Sequence, residues 1–285
     1  MRENKPSSTA KIVAFWRALG DLGLTSVPDF HDPYARQLLP GRLSQTLLAR
    51  AERRVRDERD ELVRGLRPHL DGIMLRVAYI DALIAERIAP QVVILGAGLD
   101  TRAWRLSALR GARVFEVDHP ATQSYKRMHA GALGVPISEL TYVPVDFARD
   151  SLAHALAAAG HQAHVPSVWV WEGVIMYLQD PALRATLEHV QRASAPQSSL
   201  IAHYHEPSRA SGKRWIMAQR KLVLRWLGEP QLGLREREVM RAELTRASFA
   251  VLSDAGVQEQ ALRVGGNPPD KPELLVSRIA LATPL

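Results

Sequence analysis

The chain has 285 residues, 46% of them hydrophobic and 24% charged, which allows one large α/β domain or two small ones and excludes disordered and fibrous proteins. It contains no cysteine, which excludes disulfides, thiolate metal sites, iron–sulfur clusters and a cysteine nucleophile. A formal charge of +7 is compatible with a nucleic-acid partner, but much of the arginine lies in mixed-sign stretches typical of solvated helix faces, so we expect none.

The first 88 residues carry apolar side chains at helical spacing. This spacing predicts helices over residues 8–20, 34–64 and 69–88, the last two separated at Arg67 and Pro68. The first sixteen residues lack the apolar core of a signal peptide, and no later run approaches the roughly 18 apolar residues of a membrane span. We therefore expect a cytoplasmic protein that does not contact a membrane.

From about residue 90 onward, short β-rich runs alternate with helical ones. Five buried strands are predicted in QVVILGAG, ARVFEVD, TYVPVDF, SVWVWEGV and SSLIAHYHEP. Helices are predicted after Asp100, after Pro120, over residues 150–159 and over residues 181–193. Strand alternating with helix predicts a parallel, right-handedly wound sheet.

The tail is predicted to be helical first and then extended. A long amphipathic region covers residues 208–227, and another helix reaches Asp254. Two further runs, VQEQALRV and ELLVSRIALA, are separated by the turn cluster GGNPPDKP and predict an antiparallel hairpin.

Ligands of open parallel sheets bind at the carboxyl ends of the strands, so the residues at those ends are the candidate site. The first strand ends in Gly96-Ala97-Gly98, which allows close backbone approach, but Thr101 holds the place of the third glycine of the dinucleotide fingerprint. Asp118 follows the second strand, where it could accept ribose hydroxyls or, alternatively, cap the next helix.

Acidic and aromatic side chains follow the next strands. Asp146 could accept an adenine amine while Phe147 packs on the ring, and Glu172 follows the fourth strand. Acids at successive strand ends, without a basic residue in the glycine turn, disfavour a pyrophosphate and favour an adenosine-bearing cation such as S-adenosylmethionine (SAM). Its carboxylate needs a cation, for which Arg76 and Arg17 on the preceding helices are candidates.

A set of motifs in fixed order resembles the leucine carboxyl methyltransferase family, including its bacterial O-methyltransferases of natural-product pathways. The matching segments are SSTAKIVAFWRA, FHDPYARQLL, GAGLDTRAWRL, FEVDHPATQSYKR, VPVDFARD and WVWEGVIMYL. The resemblance implies an α/β fold of class I SAM-dependent methyltransferases, a Rossmann-like sheet that ends in an antiparallel hairpin. It also implies an N-terminal helical lid over residues 1–88, followed by one compact SAM-binding core over residues 89–285 with a helical insertion near 208–247.

The strand ends, together with the positions carried over from the resemblance, predict a cofactor-binding set. Its members are Arg17, Arg76, Gly96, Ala97, Gly98, Asp118, His119, Asp146, Phe147 and Glu172. One departure occurs in RVAYID, where many relatives resemble RTRYFD, so that Ala78 replaces a second arginine. The resemblance therefore implies no cofactor- or acceptor-anchoring role at this position.

A base is needed only if the acceptor is a hydroxyl, because a carboxylate is already nucleophilic at neutral pH. His203 and His205 at the fifth strand's end are the candidate bases, with His119 third, while Tyr204 or Tyr177 could orient the acceptor. The histidines lack metal-ligand spacing, so we expect no metal.

These observations predict a SAM-dependent O-methyltransferase that acts on a carboxylate or hydroxyl of a small-molecule secondary metabolite. Three alternatives stay open. They are methylation of a protein C-terminal carboxylate, a basic RNA-binding or regulatory module on the same fold, and an NAD-dependent dehydrogenase.

Overall fold

The computed structural model describes residues 7–55, 60–147, 149–207 and 232–285. Its N-terminal part is helical. The long helices there are α1 (Ser8–Leu19), α2 (Arg42–Val55) and α3 (Glu61–Glu86), with a π-helical turn over Gly20–Leu24 directly after α1.

Two of the predicted helix boundaries in this part are wrong. Residues 34–39 form hydrogen-bonded turns rather than the start of a helix, and α2 begins only at Arg42. Pro68 lies inside α3 instead of ending a helix. The apolar side chains of Leu70 and Met74 that follow it are fully buried, and their packing outweighs the hydrogen bond that the proline cannot donate.

Seven strands form one mixed sheet. They are β1 (Gln91–Leu95), β2 (Arg113–Asp118), β3 (Glu139–Pro144), β4 (Ser167–Trp171), β5 (Ser199–His205), β6 (Phe249–Gly256) and β7 (Ser277–Pro284). The order is β3-β2-β1-β4-β5-β7-β6, with the neighbours among β1 to β5 parallel and β7 antiparallel to both β5 and β6. The five predicted parallel strands are confirmed, and the strand order reverses beside β1, where a ligand crevice forms.

The helices that follow β1 in the chain connect the strands. They are α4 (Arg102–Arg105), α5 (Pro120–Ala130), α6 (Leu152–Ala158), α7 (Asp180–Arg192), α8 (Arg237–Arg246) and α9 (Val257–Val264). The predicted helical region 208–227 lies outside the described residues, so the proposed insertion is described only from residue 232 onward.

The antiparallel pair at the C-terminal edge is present, but its first strand is not the predicted one. VQEQALRV forms α9, and the pairing strand is β6, although part of it was predicted to be a helix reaching Asp254. Val257 and Ala261 are buried four residues apart against Met74 and Leu75 of α3, so the helical period of this run decided its structure.

Helices cover both faces of the sheet. Val92 and Ile94 of β1 pack with Ala14 of α1 and Leu83 of α3 in one core cluster. Alternate residues such as Val93 pack on the other face, with apolar side chains of α6, α7 and α8. Within the described ranges, no helix combines the length and apolar character that crossing a bilayer needs. The division into a lid and a core stays a prediction.

Candidate functional site

A cavity of about 720 Å³ lies at the carboxyl ends of the parallel strands, beside the reversal in strand order. Helix α1 covers one side of it through Ala10, Val13 and Arg17. All ten residues of the predicted cofactor-binding set line this cavity. The structure therefore brings together residues from α1, α3 and the ends of four strands, although it does not by itself test their roles.

The turn after β1 needs its glycines. Gly96 and Gly98 have positive φ angles of 70° and 53°, a region that other residues rarely adopt. A Cβ atom at Gly96 would lie 2.3 Å from Val174 Cγ2, and one at Gly98 would lie 3.1 Å from the Cβ of Ala10. The backbone is thus packed between α1 and the loop after β4, in a conformation that lets a ligand approach it closely.

Asp118 is fixed at the end of β2 by backbone donors. The amide of Gly98 donates to its Oδ2 at 2.5 Å, and the amide of His119 donates to its Oδ1 at 2.6 Å. Burial raises the pKa of Asp118, and these two donors act against the rise. The helix cap of α5 is His119, whose Nδ1 accepts from the amide of Ala121, so Asp118 keeps acceptor capacity for a ligand.

Glu172 lies between two guanidiniums. Arg76 Nε donates to its Oε1 and Arg102 Nη2 donates to its Oε2, both at 2.8 Å. Burial alone would raise the pKa of Glu172, but Arg102 and Arg76 outweigh it and lower the pKa to about 2. Among the described residues, the Nη atoms of Arg76 make no hydrogen bond, which leaves them available to a ligand carboxylate at the cavity wall.

Arg102 was missed by sequence reasoning, although it lies in the quoted motif GAGLDTRAWRL. Its side chain is only 2% exposed, and it donates from Nε to Asp81, from Nη1 to Asp100 and from Nη2 to Glu172. These carboxylates come from α3, the glycine turn and the end of β4. Arg102 thus joins three segments around the cavity, a role that only the folded chain reveals.

Arg17 is engaged more fully than the sequence indicated. Its Nη1 donates to Asp32 at 2.9 Å and to Thr101 at 3.1 Å, and its Nη2 donates to the Leu99 carbonyl at 2.5 Å. Arg105 extends the same network by donating to Asp81. Arg17 therefore ties α1 to the glycine turn, and Arg76 is better placed as the partner of a ligand carboxylate.

The other end of the cavity lies beyond β2 and β3. Asp146 and Phe147 follow β3 and line the cavity there. Phe147 is 43% exposed at the cavity, a position from which its ring could pack on a planar ligand. Ala78, by contrast, packs with Met74 and Val27 and does not line the cavity.

His119 and Tyr177 line the cavity, whereas the candidate bases His203 and His205 and the candidate orienting residue Tyr204 do not. His203 is fully buried: its Nδ1 accepts from the amide of Gly173 at 3.1 Å, and its Nε2 lies 3.1 Å from Ser277 Oγ. Tyr204 is on the opposite sheet face, where it donates to Asp254, and His205 packs its ring against His203. The cavity lining, as formed by the described residues, contains none of the three. Their assignment as acceptor-contacting residues therefore gains no support from the geometry.

The donor set fits SAM. The lining offers a buried carboxylate that can accept from ribose hydroxyls, an arginine that can bind a carboxylate, and glycines that permit close approach to the turn. Acids at the ends of β2 and β4 and after β3 disfavour a pyrophosphate in the same place.

Comparisons with known proteins point the same way. A family model described as leucine carboxyl methyltransferase matches residues 10–191. A Mycolicibacterium smegmatis protein assigned by name to the S-adenosyl-L-methionine-dependent methyltransferases is 35% identical over 216 residues, covering 73% of this chain and 70% of that protein. A Mycolicibacterium vanbaalenii protein with the same assignment is 33% identical over 220 residues, covering 74% and 71%.

Two solved structures share the fold. A DUF574 family protein from Streptomyces avermitilis superposes with a TM-score of 0.61 at 12% identity, covering 98% of each chain. A Thermobifida fusca protein assigned to the methyltransferases superposes with a TM-score of 0.60 at 16% identity, covering 98% of this chain and 95% of that one. At such identities the likeness concerns the fold alone.

Proposed function

The chain belongs to the leucine carboxyl methyltransferase family and uses S-adenosyl-L-methionine, and on that premise we propose that it transfers the methyl group to an oxygen of a small-molecule acceptor, a carboxylate or a hydroxyl. SAM supplies an electrophilic methyl group on its sulfonium when bound. The protein then has to align the acceptor and exclude water.

Different cavity residues would contact different groups of the cofactor. Asp118 would accept the ribose hydroxyls, Arg76 would hold the cofactor carboxylate, and Phe147 would pack against the adenine. Helix α1 covers the glycine turn, with Ala10 directly against Gly98, and so keeps water from that side of the cavity. This arrangement leaves the region beyond β4 for the acceptor.

One observation carries the proposal and favours a carboxylate within it. Several titratable side chains that line the cavity are engaged by other groups of the protein: Asp118 by two amides, His119 by the amide of Ala121, Asp100 by Arg102, and Glu172 by two arginines. A carboxylate acceptor needs no base, whereas a hydroxyl would benefit from one. A cavity of about 720 Å³ also suits a cofactor together with a small acceptor.

A protein C-terminal carboxylate is the second candidate acceptor, because the description of the matching family names leucine carboxyl groups. A role in natural-product biosynthesis and a cytoplasmic location stay predictions. Small organic acids and peptides ending in a free carboxylate, assayed side by side with the full chain, distinguish the two acceptor classes.

The test is methyl transfer from labelled SAM to an extract of small organic molecules, followed by mass spectrometry for products that gain one methyl group. A product cleaved by mild alkali is an ester and supports a carboxylate acceptor, whereas an ether survives and supports a hydroxyl. Asp118→Ala is expected to abolish transfer, and Glu188→Ala, at an exposed site on α7, is expected to leave it unchanged. Methyl groups found only on nitrogen or carbon would contradict the proposal.

A further inference from the structure

Beyond β4, the cavity is lined by a group of side chains that we call the apolar wall. Its members are Val174, Tyr177, Leu178, Ala182 and Leu232. The first three follow β4, Ala182 belongs to α7, and Leu232 lies in the segment before α8. The wall has one phenol hydroxyl and no charged side chain, in contrast to the rest of the cavity lining.

The sheet order places this wall on the acceptor side. The predicted adenosine contacts, Asp118 and Asp146, follow β2 and β3, whereas Glu172 follows β4. Leu232 lies three residues before Arg235, and the amide of Arg235 donates to the carbonyl of His205 at the end of β5. The segment that carries Leu232 is therefore attached to β5. The wall therefore continues the cavity past β4 toward β5, away from the adenosine end.

A buried arginine holds the wall together. Arg235 is 4% exposed, and its Nη1 donates to the carbonyls of Gly233 at 2.7 Å and Ile175 at 3.3 Å. Its Nη2 donates to the carbonyl of Leu178 at 3.0 Å and to Asp180 Oδ1 at 2.8 Å. One guanidinium thus fixes the loop after β4, the start of α7 and the segment that carries Leu232.

The two segments also touch directly. The amide of Gly233 donates to the carbonyl of Met176 at 2.9 Å. A Cβ atom at Gly233 would lie 2.2 Å from the carbonyl oxygen of Leu178, so the backbones approach as closely as glycine allows. The position of Leu232 relative to Tyr177 and Leu178 therefore depends on this contact and on Arg235.

We propose that Arg235 is a positioning residue for the acceptor and that the apolar wall it holds selects acceptors with an apolar body. The inference rests on the proposed methyl transfer to oxygen and adds the acceptor's class to it. Arg235 does not touch the acceptor; it sets the distance between Leu232 and the loop after β4. Burial of an apolar body against these side chains supplies the affinity, and its oxygen faces the cofactor.

Calorimetry can test whether the apolar wall selects ligands with an apolar body. The affinities of 1-naphthoate and glycolate are measured on the full chain saturated with S-adenosylhomocysteine. Both probes carry one carboxylate, but only 1-naphthoate has an apolar body. The proposal predicts that 1-naphthoate binds at least about tenfold more tightly than glycolate. Equal affinities would overturn the selection for an apolar body.

Variants of Arg235 test its positioning role. Arg235→Met is expected to weaken 1-naphthoate binding about tenfold while the affinity for S-adenosylhomocysteine changes less than about twofold, and Arg235→Lys should lie between it and the native chain. Arg246→Met, which removes an exposed arginine of α8, is the matched control and should change neither affinity. A merely structural Arg235 would weaken both ligands together or neither, and either result overturns the proposal.

Leu232→Ser covers the case in which Arg235→Met does not fold. Leu232 is 57% exposed, so folding does not depend on it, and its loss should weaken 1-naphthoate but not S-adenosylhomocysteine. An unchanged 1-naphthoate affinity in this variant would contradict the proposed role of the apolar wall in acceptor binding. Assays with labelled SAM separate the two proposals. Suppose that 1-naphthoate binds with the expected preference but that neither it nor any other acceptor gains a methyl group on oxygen. The proposed function is then wrong, while the selection of an apolar body by the apolar wall is supported.

Discussion

Arg102 and Arg235 are both buried beside the same cavity, yet they are surrounded by different partners. Arg102 donates to three carboxylates, those of Asp81, Asp100 and Glu172. Arg235 donates mainly to backbone carbonyls, with Asp180 as its one acidic partner among the residues that the structure describes. The first arrangement fixes charged side chains of α3, the glycine turn and the end of β4, and the second fixes the backbone behind apolar side chains.

The two arrangements place different demands on the residues around them. A charge network requires particular side chains at each position, since an unpaired buried charge is costly. A guanidinium bound to carbonyls places few demands on the neighbouring side chains, because every residue has a carbonyl. Arg102 lies inside the segment matched by the family model, whereas Arg235 and Leu232 lie beyond residue 191, where that match ends.

Gly96→Ala should have the largest effect on the cofactor end. The added Cβ meets Val174 and the residue must hold a positive φ of 70°, which together cost about 1–3 kcal/mol or more of stability. Binding of S-adenosylhomocysteine is expected to fall below detection by calorimetry. Gly131→Ala is the control, since Gly131 is αR and its Cβ would meet nothing within 4 Å, and it should bind normally. Native affinity in Gly96→Ala would show that close approach to this turn is not needed.

Arg102→Met should have the next largest effect on the cofactor end, because Asp81, Asp100 and Glu172 each lose the guanidinium that donates to them. Removing one partner of a buried ion pair costs about 3–5 kcal/mol, so the melting temperature should drop sharply. Arg192→Met, whose arginine is 75% exposed, should cost less than about 1 kcal/mol. The affinity for S-adenosylhomocysteine should fall in the Arg102 variant while the Arg235 contacts behind the apolar wall persist.

The same variant has a pH signature. The pKa of Glu172 is held at about 2 in the folded chain, below its ordinary value of 4.5. Its stabilising contribution is therefore complete above the ordinary value and lost as pH falls toward 2. Without Arg102 the folded pKa rises, so this contribution shrinks and its loss is complete at a higher pH. Melting temperatures measured from pH 7 down to pH 3 should show this; parallel pH profiles for the two chains would contradict the role of Arg102.

Phe147→Ala should have a smaller effect that is confined to the cofactor end. Stacking of an aromatic ring is worth about 0.5–1.5 kcal/mol beyond burial, so S-adenosylhomocysteine should bind about three- to tenfold more weakly. Affinity for 1-naphthoate on the saturated chain should not change. Met128→Ala, at another exposed apolar residue, is the control. A larger loss for 1-naphthoate than for S-adenosylhomocysteine would mean that the two ends of the cavity are assigned the wrong way round.

Much of the fold and of the cofactor end could be predicted because their signals are local. Asp118 and Glu172 are recognised because each lies at the carboxyl end of a buried strand, and the five parallel strands are recognised by their β-rich runs. Arg102 and Arg235 are recognised only through partners distant in sequence: Glu172 is 70 residues from Arg102, and Ile175 is 60 residues from Arg235. No spacing rule reports such contacts.

The wrong predictions also trace to contacts that the folded chain makes. VQEQALRV could be a short strand or a short helix, and contact with α3 decided for the helix. The end of β5 near the predicted crevice indicates His203 as a base, but its side chain is enclosed between Gly173 and Ser277. The sequence indicates where a strand ends, not which of its side chains reaches the cavity.

His203→Gln should therefore have the smallest effect on catalysis. Losing one of its two hydrogen bonds costs about 0.5–1.5 kcal/mol of stability, but this side chain does not line the cavity. Burial lowers the pKa of His203 well below its usual range, so no activity titration near pH 6.5 should arise from it. We expect kcat/KM within about threefold of the native value, as for His154→Gln at an exposed site on α6.

A general base at this position would behave differently. Its removal would lower kcat by about a hundredfold or more and abolish a pH-dependent limb of the rate profile. Such a result would require His203 to reach the acceptor after a rearrangement of β5 and would favour a hydroxyl over a carboxylate. Because Gly173 lies between Glu172 and the apolar wall, a modest rise in acceptor KM at constant kcat would instead show that His203 acts only by holding the Gly173 amide.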